Sequence, residues 1–239
     1  MKHSSQKLDW DTSFFGIESF KVMIEEKLES EDFEEIISQA NNRAPCFIQI
    51  CTPQISFLEK IKIDSSNFKF MEENYFYEKK ITPCKESISL EKATREDIPQ
   101  LIDLVKDSFN ISRFYKDKNI SPILSSQLYI KWIENSVLGS FDDYCLISKS
   151  GKEITAFSSI KELPSNEYRI GLLGINKKHR GSGLSYQLIS AIEHYLKSGT
   201  LKVSTQKENL AANKVYTNSN FSKVSTQAFY HGWFKKDEK

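Results

Sequence analysis

A glycine-containing turn between an apolar run and an amphipathic segment constrains this chain more than any other feature. The turn covers residues 180–185 (RGSGLS), the apolar run covers 169–175, and the amphipathic segment covers 182–197. A strand that passes through such a turn into a helix leaves backbone N–H groups aimed at one spot, with the positive helix end behind them. Glycines at 181 and 183 allow positive φ and close approach of a ligand. The turn therefore predicts a phosphate or pyrophosphate site, although on glycine spacing alone an ordinary tight turn is the simpler explanation.

Charge and cysteine content narrow the classes of partner. The chain has 239 residues, and 33 basic against 32 acidic residues give a net charge of +1. Because no global field recruits nucleic acid or an anionic membrane, a phosphate ligand must be held locally. No apolar run is long enough to span a bilayer and no signal segment opens the chain, so we expect a cytoplasmic protein without membrane insertion. The four cysteines have neither CxxC pairing nor metal-ligand spacing with the four histidines, which predicts buried thiols and no metal.

The first 84 residues predict a small half with the order β-α-β-α-β. Apolar alternation and aromatic content indicate the strands, and acidic first turns with a 3.6-residue period indicate the helices. The junction to a second domain is expected at 83–87, so that the chain divides into 1–84 and 85–239. The predicted strands lie at 18–24, 45–51 and 68–81, and the predicted helices at 31–41 and 54–63.

From residue 88 the pattern becomes a longer alternation of helices and strands. Thr94 with Asp97 has the form of a capping box, which predicts the start of a helix that runs to about 109. Turn sequences between the next strands suit an antiparallel meander. The remaining predictions are a short strand at 88–91, a loop at 110–122, a helix at 126–136, strands at 144–148, 153–162 and 168–175, the glycine turn with its helix, a strand at 201–206, a helix at 210–218, and one or two strands within 221–234.

This order of elements resembles the GNAT superfamily of N-acetyltransferases, and two separated motifs carry the resemblance. Arg180-x-x-Gly183-x-Ser185 resembles the family's Q/R-x-x-G-x-G/A loop, and Asn209-x-x-Ala212-x-x-x-Tyr216 resembles its N-x-x-A-x-x-x-Y helix. The resemblance implies an α/β (α+β) fold with a mixed, mostly antiparallel central sheet flanked by helices, preceded by a smaller degenerate β-α-β half. It also implies acetyl-coenzyme A as co-substrate and no metal.

The resemblance also assigns site residues. It gives Tyr216 the protonation of the leaving thiolate; the alternative is a core or surface tyrosine without a chemical role. Asn209 has the alternative role of a helix N-cap. The implied cofactor-binding residues are Leu173, Gly174 and Ile175 for the pantetheine arm, Arg180, Gly181, Ser182, Gly183, Leu184 and Ser185 for the pyrophosphate, and Asn209 and Ala212 on the helix.

A narrower resemblance concerns the substrate. Residues 8–16 (LDWDTSFFG) and 111–117 (ISRFYKD) are similar to the TDP-fucosamine acetyltransferase group, which acetylates a 4-amino-4,6-dideoxyhexose on a nucleotide. Arg113 is expected to contact a diphosphate or carboxylate, because a guanidinium binds two oxygens of such a group at once, in bidentate fashion. The alternatives are that Arg113 pairs with a surface acid and that Phe114 and the aromatic N-terminus only pack. The expected substrate-binding residues are Arg113, Phe114, Tyr115, Asp117 and Phe15.

The predicted function is acetyl transfer from acetyl-coenzyme A to the amine of a nucleotide-linked amino-deoxy sugar, by direct attack on the thioester, in cell-surface polysaccharide biosynthesis. Two alternatives stay open: a GNAT enzyme for a peptide N-terminus, polyamine or other small amine, and a non-catalytic acetyl-coenzyme A-binding module. The general base is not assigned, with water, Asp117 or another carboxylate as candidates. A nucleic-acid partner is disfavoured by the charge balance, and the oligomeric state is open, with a homodimer as one candidate.

Overall fold

The computed structural model describes residues 3–25, 30–53, 68–82, 88–106 and 108–236. The predicted helix at 54–63 and the predicted junction at 83–87 lie outside these residues. The strands are β1 (His3–Lys7), β2 (Glu18–Ile24), β3 (Cys46–Thr52), β4 (Phe68–Lys80), β5 (Glu91–Lys92), β6 (Tyr144–Ser150), β7 (Glu153–Leu163), β8 (Glu167–Ile175), β9 (Thr200–Gln206) and β10 (Ser222–Phe234). The helices are α1 (Asp9–Phe15), α2 (Ser30–Arg43), α3 (Ile98–Lys106), α4 (Arg113–Lys116), α5 (Pro122–Val137), α6 (Leu184–Leu196) and α7 (Leu210–Asn218).

The strands of the described residues form one mixed sheet in the order β1-β2-β3-β10-β4-β9-β8-β7-β6-β5. Among the described strands, only β2–β3 and β8–β9 run parallel, and the other neighbours are antiparallel. The predicted α/β class with a mixed, mostly antiparallel sheet flanked by helices is therefore confirmed. The predicted meander is confirmed as β6-β7-β8.

The first half follows its hydrophobic pattern closely. Inward side chains of β2 and β3 pack on the apolar face of α2 and form one buried cluster that includes Phe20, Phe33, Ile36 and Ile48. Burial of this apolar surface, rather than helix propensity, holds α2 on the sheet. The predicted strands at 18–24, 45–51 and 68–81 and the predicted helix at 31–41 are confirmed with shifts of one or two residues at their ends.

Four predicted elements of the second half differ from the structure. The helix predicted to run to about 109 ends as α3 at Lys106. Helix α5 begins earlier than predicted, because Ser121 Oγ accepts from Leu124 N (3.2 Å) and Pro122 suits the first helical turn. The predicted loop at 110–122 contains the one-turn helix α4. The predicted strand at 88–91 is wrong in position, since only Glu91 and Lys92 pair, with β6.

The last strand joins the two halves of the sheet. β10 pairs with β3 through residues 46–52 and with β4 through residues 68–78, so it lies between two strands of the first half. β4 in turn pairs with β9. The sheet is thus continuous across residue 84, and the division into 1–84 and 85–239 stays a prediction.

A cleft opens where β8 and β9 separate. The two parallel strands pair through only three residue pairs, the last being Arg169 with Lys202, although both strands continue, to Ile175 and Gln206. On its other side β8 remains paired with β7 as far as Ile175. The β9-facing edge of residues 170–175 therefore lacks a neighbouring strand and has backbone groups available for a ligand.

Candidate active site

Two cavities meet at the cleft between β8 and β9. The outer cavity, of about 580 Å³, extends from the glycine turn, and the inner cavity, of about 180 Å³, extends under α4. The two share part of their wall, so the inner cavity adjoins the outer one within the cleft. The shared residues are Ser108, Leu173, Asn209, Ala212 and Tyr216.

The glycine turn has the conformation that its sequence predicts. Gly181 and Gly183 have φ of 81° and 84°, a left-handed region that side chains other than glycine rarely adopt. A Cβ on either glycine would meet no atom within 4 Å, so the space before the turn is open. Gly183 is the N-cap of α6, whose first amides have no partner inside the helix. Arg180 is held beside them, because its Nε donates to Ile175 O at 3.1 Å.

The predicted cofactor residues fall into two groups. Those that do not line the outer cavity are Ser182, whose hydroxyl donates to His179 O at 2.7 Å, and Leu184, which packs on the core beneath α6. The others all line it: Leu173, Gly174, Ile175, Arg180, Gly181, Gly183, Ser185, Asn209 and Ala212.

Tyr216 lies on α7 at the junction of the two cavities. Its side chain is 5% exposed and packs on Tyr77 and Phe221, with ring centroids 5.7 and 5.6 Å apart. Burial raises the pKa of Tyr216 well above that of a free phenol, so its hydroxyl stays protonated at physiological pH.

Asn209 sets the position of Tyr216. Its Oδ1 accepts from Ala212 N at 3.2 Å, which caps α7, and its Nδ2 donates to Thr205 Oγ1 at 3.1 Å. The N-cap alternative from the sequence is therefore present in the structure. The same side chain ties the start of the helix to the end of β9, and it lines both cavities.

Arg113 lines the inner cavity and faces an acid there. Its Nη1 donates to Glu72 Oε1 at 3.3 Å and its Nε to Gln49 Oε1 at 3.4 Å. Its guanidinium also lies 4.4 Å from the ring centroid of Phe114 and 4.8 Å from that of Phe229. The alternative from the sequence was that Arg113 pairs with a surface acid. The acid that Arg113 contacts is buried instead, because Glu72 is 1% exposed.

Phe114 lines the inner cavity, whereas the other three predicted substrate residues lie outside the lining of both cavities. Tyr115 stacks on Tyr129, with ring centroids 6.3 Å apart. Phe15 belongs to an aromatic cluster and contacts the rings of Phe47, Phe114 and Trp233.

Asp117 is buried and fastens α4 to β10. Its Oδ2 accepts from His231 Nδ1 and Trp233 Nε1, both at 2.8 Å, and its Oδ1 accepts from Asn119 N at 2.9 Å. Burial opposes the charge of Asp117, but these hydrogen bonds outweigh it and lower the pKa of the carboxyl. Burial lowers the pKa of His231 as well, so the imidazole is neutral.

Sequence reasoning missed the polar residues that β4 contributes. Asn74 lines the inner cavity, and Glu72 lies two residues before it on the same strand. Side chains two apart share a face of a strand, so the sequence contained a signal that the two act together. It gave no means to tell that this face is buried. Tyr129 and Trp132, which complete the aromatic wall, were also missed.

The described residues offer neither a membrane-crossing helix nor a metal centre. No helix among them is long and apolar enough to cross a membrane, and they contain no group of three or more His, Cys, Asp or Glu side chains placed to hold a metal ion.

A sheet that splays beside a glycine turn, with a helix N-terminus at the mouth of the cleft, is the architecture of an acetyltransferase. The chain belongs to the acetyltransferase (GNAT) family, whose model matches residues 100–221.

The chain is also similar in sequence to two curated proteins. The chain is 37% identical over 136 residues to a dTDP-fucosamine acetyltransferase of Escherichia coli O6:H1, a match that covers 56% of this chain and 58% of that protein. It is 21% identical over 146 residues to the spore coat polysaccharide biosynthesis protein SpsD of Bacillus subtilis, covering 60% of this chain and 50% of that protein. The chain thus matches about half the length of these curated relatives.

Solved structures share the fold at low sequence identity. A GCN5-related N-acetyltransferase from Sphaerobacter thermophilus superposes with a TM-score of 0.61 at 8% identity, covering 100% of this chain and 78% of that one. A conserved protein of unknown function from Staphylococcus epidermidis gives a TM-score of 0.66 at 13% identity, covering 90% and 84%.

Proposed function

We propose that this protein transfers the acetyl group of acetyl-coenzyme A to the amine of a nucleotide-linked amino-deoxy sugar. The observation that carries the proposal is the meeting of the two cavities at Tyr216. One cavity begins at a glycine turn suited to an anion, and the other is lined by the half-buried Arg113. The 37% identity to a protein named for dTDP-fucosamine supports the choice of acceptor.

The residues present fit acetyl-coenzyme A. The amides of the glycine turn and the first turn of α6, with Arg180 beside them, suit a pyrophosphate. Beyond Arg169 the open edge of β8 suits an extended pantetheine arm, which would pair with the backbone of Leu173, Gly174 and Ile175 as an added strand. When bound, the cofactor supplies an activated acetyl group as a thioester.

Tyr216 is the proton donor in this proposal. Acetyl transfer to an amine ends with a thiolate that must be protonated. Because burial keeps the proton on the Tyr216 hydroxyl, and because Tyr216 lies where both cavities meet, this side chain is placed to supply it. Asn209 caps the helix that carries it, and Ala212 on the same helix lines both cavities.

Arg113 and its neighbours form the acceptor side. The guanidinium suits the diphosphate of a nucleotide sugar, and Phe114, Tyr129 and Trp132 offer aromatic faces to a base or sugar. Tyr115, Asp117 and Phe15 hold this wall in place rather than reach the cavity. We extend the proposal to the chain as a whole, with residues 1–84 on the substrate side and 85–239 as the acetyltransferase domain.

The test is a product screen by mass spectrometry. The protein is incubated with acetyl-coenzyme A and a panel of nucleotide-linked amino sugars, with polyamines and peptides of free N-terminus included for comparison. We expect acetylated product from at least one nucleotide-linked 4-amino-deoxyhexose, at a kcat/KM well above that for the other amines. No turnover of any nucleotide sugar beside robust acetylation of a peptide or polyamine would overturn the proposal.

A further inference from the structure

Two buried oxygen atoms beside the inner cavity have no hydrogen-bond partner within the described part of the chain. They are Glu72 Oε2 and Asn74 Oδ1, and the two residues are 1% and 6% exposed, respectively. Leaving a buried polar atom without a partner is costly, and such atoms are rare in folded proteins. Asn74 lines the inner cavity, and Glu72 is hydrogen-bonded to two side chains that line it, Asn74 and Arg113. The pair therefore indicates a missing ligand.

The orientation of Asn74 follows from its neighbour. Its Nδ2 donates to Glu72 Oε1 at 3.2 Å, and the reversed amide would set two acceptor oxygens against each other. Asn74 Oδ1 is thus fixed as an acceptor. Both unsatisfied atoms are acceptors, and one belongs to a carboxylate, so the ligand that satisfies them is a donor with positive charge. An ammonium group has that chemistry, and its several N–H bonds match two acceptors at once.

The hydrogen bonds that Arg113 donates to Glu72 and Gln49 are long. The Arg113–Glu72 contact of 3.3 Å and the Arg113–Gln49 contact of 3.4 Å both exceed the usual 2.7–3.2 Å for N–H···O bonds. Arg113 is 23% exposed at its side chain, whereas Glu72 is 1% exposed. A ligand with both an amine and an acidic group can replace this ion pair, because its ammonium can pair with Glu72 and its acidic group with Arg113.

We propose that Glu72 and Asn74 form the subsite for the acceptor ammonium, and that Arg113 uncovers Glu72 by turning to the acidic group of the same substrate. The inference rests on the proposed function and specifies its acceptor: a molecule in which an amine and an anionic group are joined, as in a nucleotide-linked amino sugar.

Glu72 then also acts on the proton of the amine. One ammonium proton passes to Glu72 and later to solvent, and the nitrogen lone pair forms the C–N bond to the thioester carbonyl. The C–S bond breaks, and the thiolate takes the proton of the Tyr216 hydroxyl. The second proton lost by the nitrogen returns to Tyr216, which leaves an amide, a free thiol and one proton in solution.

The test compares E72Q with E73Q. Glutamine at 72 keeps the shape and the acceptor oxygen but removes the charge. Glu73 lies next to it on β4, and its carboxylate is paired with Lys207 at 3.0 Å, whereas Glu72 contacts Asn74 and Arg113 of the cavity lining. Loss of a buried charged partner predicts a fall of about 30-fold or more in kcat/KM for the amino sugar in E72Q. We expect E73Q to stay within twofold of wild type, and the Kd of acetyl-coenzyme A to be unchanged in both.

A second readout separates recognition from folding. The Kd of the nucleotide amino sugar is compared with that of the matching sugar that carries a hydroxyl in place of the amine. Wild type is expected to prefer the amine by about tenfold or more, and E72Q to lose that preference. A general structural loss would weaken both ligands equally and leave the ratio unchanged.

The outcomes distinguish the two proposals. An E72Q variant that keeps the amine preference and at least a third of wild-type kcat/KM overturns the role of Glu72 while the proposed function stands. If wild type acetylates only other amines, the proposed function fails, and the same comparison with the best of those amines decides whether Glu72 binds its ammonium.

Discussion

Tyr216→Phe is the sharpest test of the catalytic assignment. The change removes one hydroxyl and leaves the ring in contact with Tyr77 and Phe221, at centroid distances of 5.7 and 5.6 Å. The free energy of unfolding should therefore change by no more than about 1 kcal/mol. Loss of a positioned proton donor lowers kcat by about 10²–10⁴-fold, which corresponds to about 2.7–5.4 kcal/mol of transition-state stabilisation.

The assay follows free thiol release at saturating concentrations of both substrates, with the Kd of acetyl-coenzyme A measured by calorimetry. Tyr77→Phe is the matched control, because Tyr77 is as buried as Tyr216, at 5% exposure, and the two rings touch. The Tyr77 hydroxyl donates to Asn213 Oδ1 at 2.9 Å, so this variant loses about 1 kcal/mol of stability. Its kcat should stay within twofold of wild type, since Tyr77 lines neither cavity.

The reasoning is refuted if Tyr216→Phe retains kcat within threefold of wild type. A fall in kcat matched by an equal fall in Tyr77→Phe would also refute it, because the effect would then come from packing between the two rings. A variant that loses acetyl-coenzyme A binding along with kcat would show that the hydroxyl serves the cofactor site rather than proton transfer.

Three further predictions test other parts of the structure. Gly183→Ala places a side chain at φ 84°, which costs about 1–2 kcal/mol, so calorimetry should show acetyl-coenzyme A binding weakened by about tenfold, and an unchanged Kd would contradict the role of the turn. Asp117→Ala leaves His231 Nδ1 and Trp233 Nε1 without an acceptor, so chemical denaturation should show a loss of about 2–5 kcal/mol; a loss below 1 kcal/mol would mean that Asp117 does not fasten α4. Burial holds the pKa of His231 in the folded protein below 6.5, so its contribution to stability is complete above pH 6.5 and is lost as pH falls. Below pH 6.5 the free energy of unfolding should decline by up to about 1.4 kcal/mol per pH unit. The variant His231→Gln should flatten that slope.

Local features of the sequence were sufficient to predict the glycine turn and helix α7. The left-handed turn at Gly181 and Gly183 follows from a conformation that glycine alone adopts freely, and the bounds of α7 follow from the cap at Asn209. Each of these features is determined by residues within a few positions of one another. A pattern of that kind is visible in a linear sequence, so the turn and the helix could be predicted from the residues, whereas the cofactor roles given to them came from the family resemblance.

The acceptor side could not be predicted in the same way. The Arg113–Glu72 ion pair joins residues 41 positions apart, and both are charged residue types that usually lie on the surface. Lys and Glu are abundant in this chain, and burial of Glu72 depends on which face of β4 the rest of the fold covers. Asp117 was predicted to bind substrate, and nothing nearby in the sequence indicates that its carboxylate pairs with His231 and Trp233 on β10 instead.

The insertion of β10 between β3 and β4 explains why these residues meet. Phe229 lies beneath Arg113, and His231 and Trp233 hold Asp117, so one strand fixes both ends of α4. The same strand pairs with β4 beside Glu72. The wall of the inner cavity around Arg113 therefore depends on the position of β10 between β3 and β4. A residue of either half reaches its functional position through contacts with the other, so substitutions in β10 should change acceptor affinity while leaving the glycine turn intact.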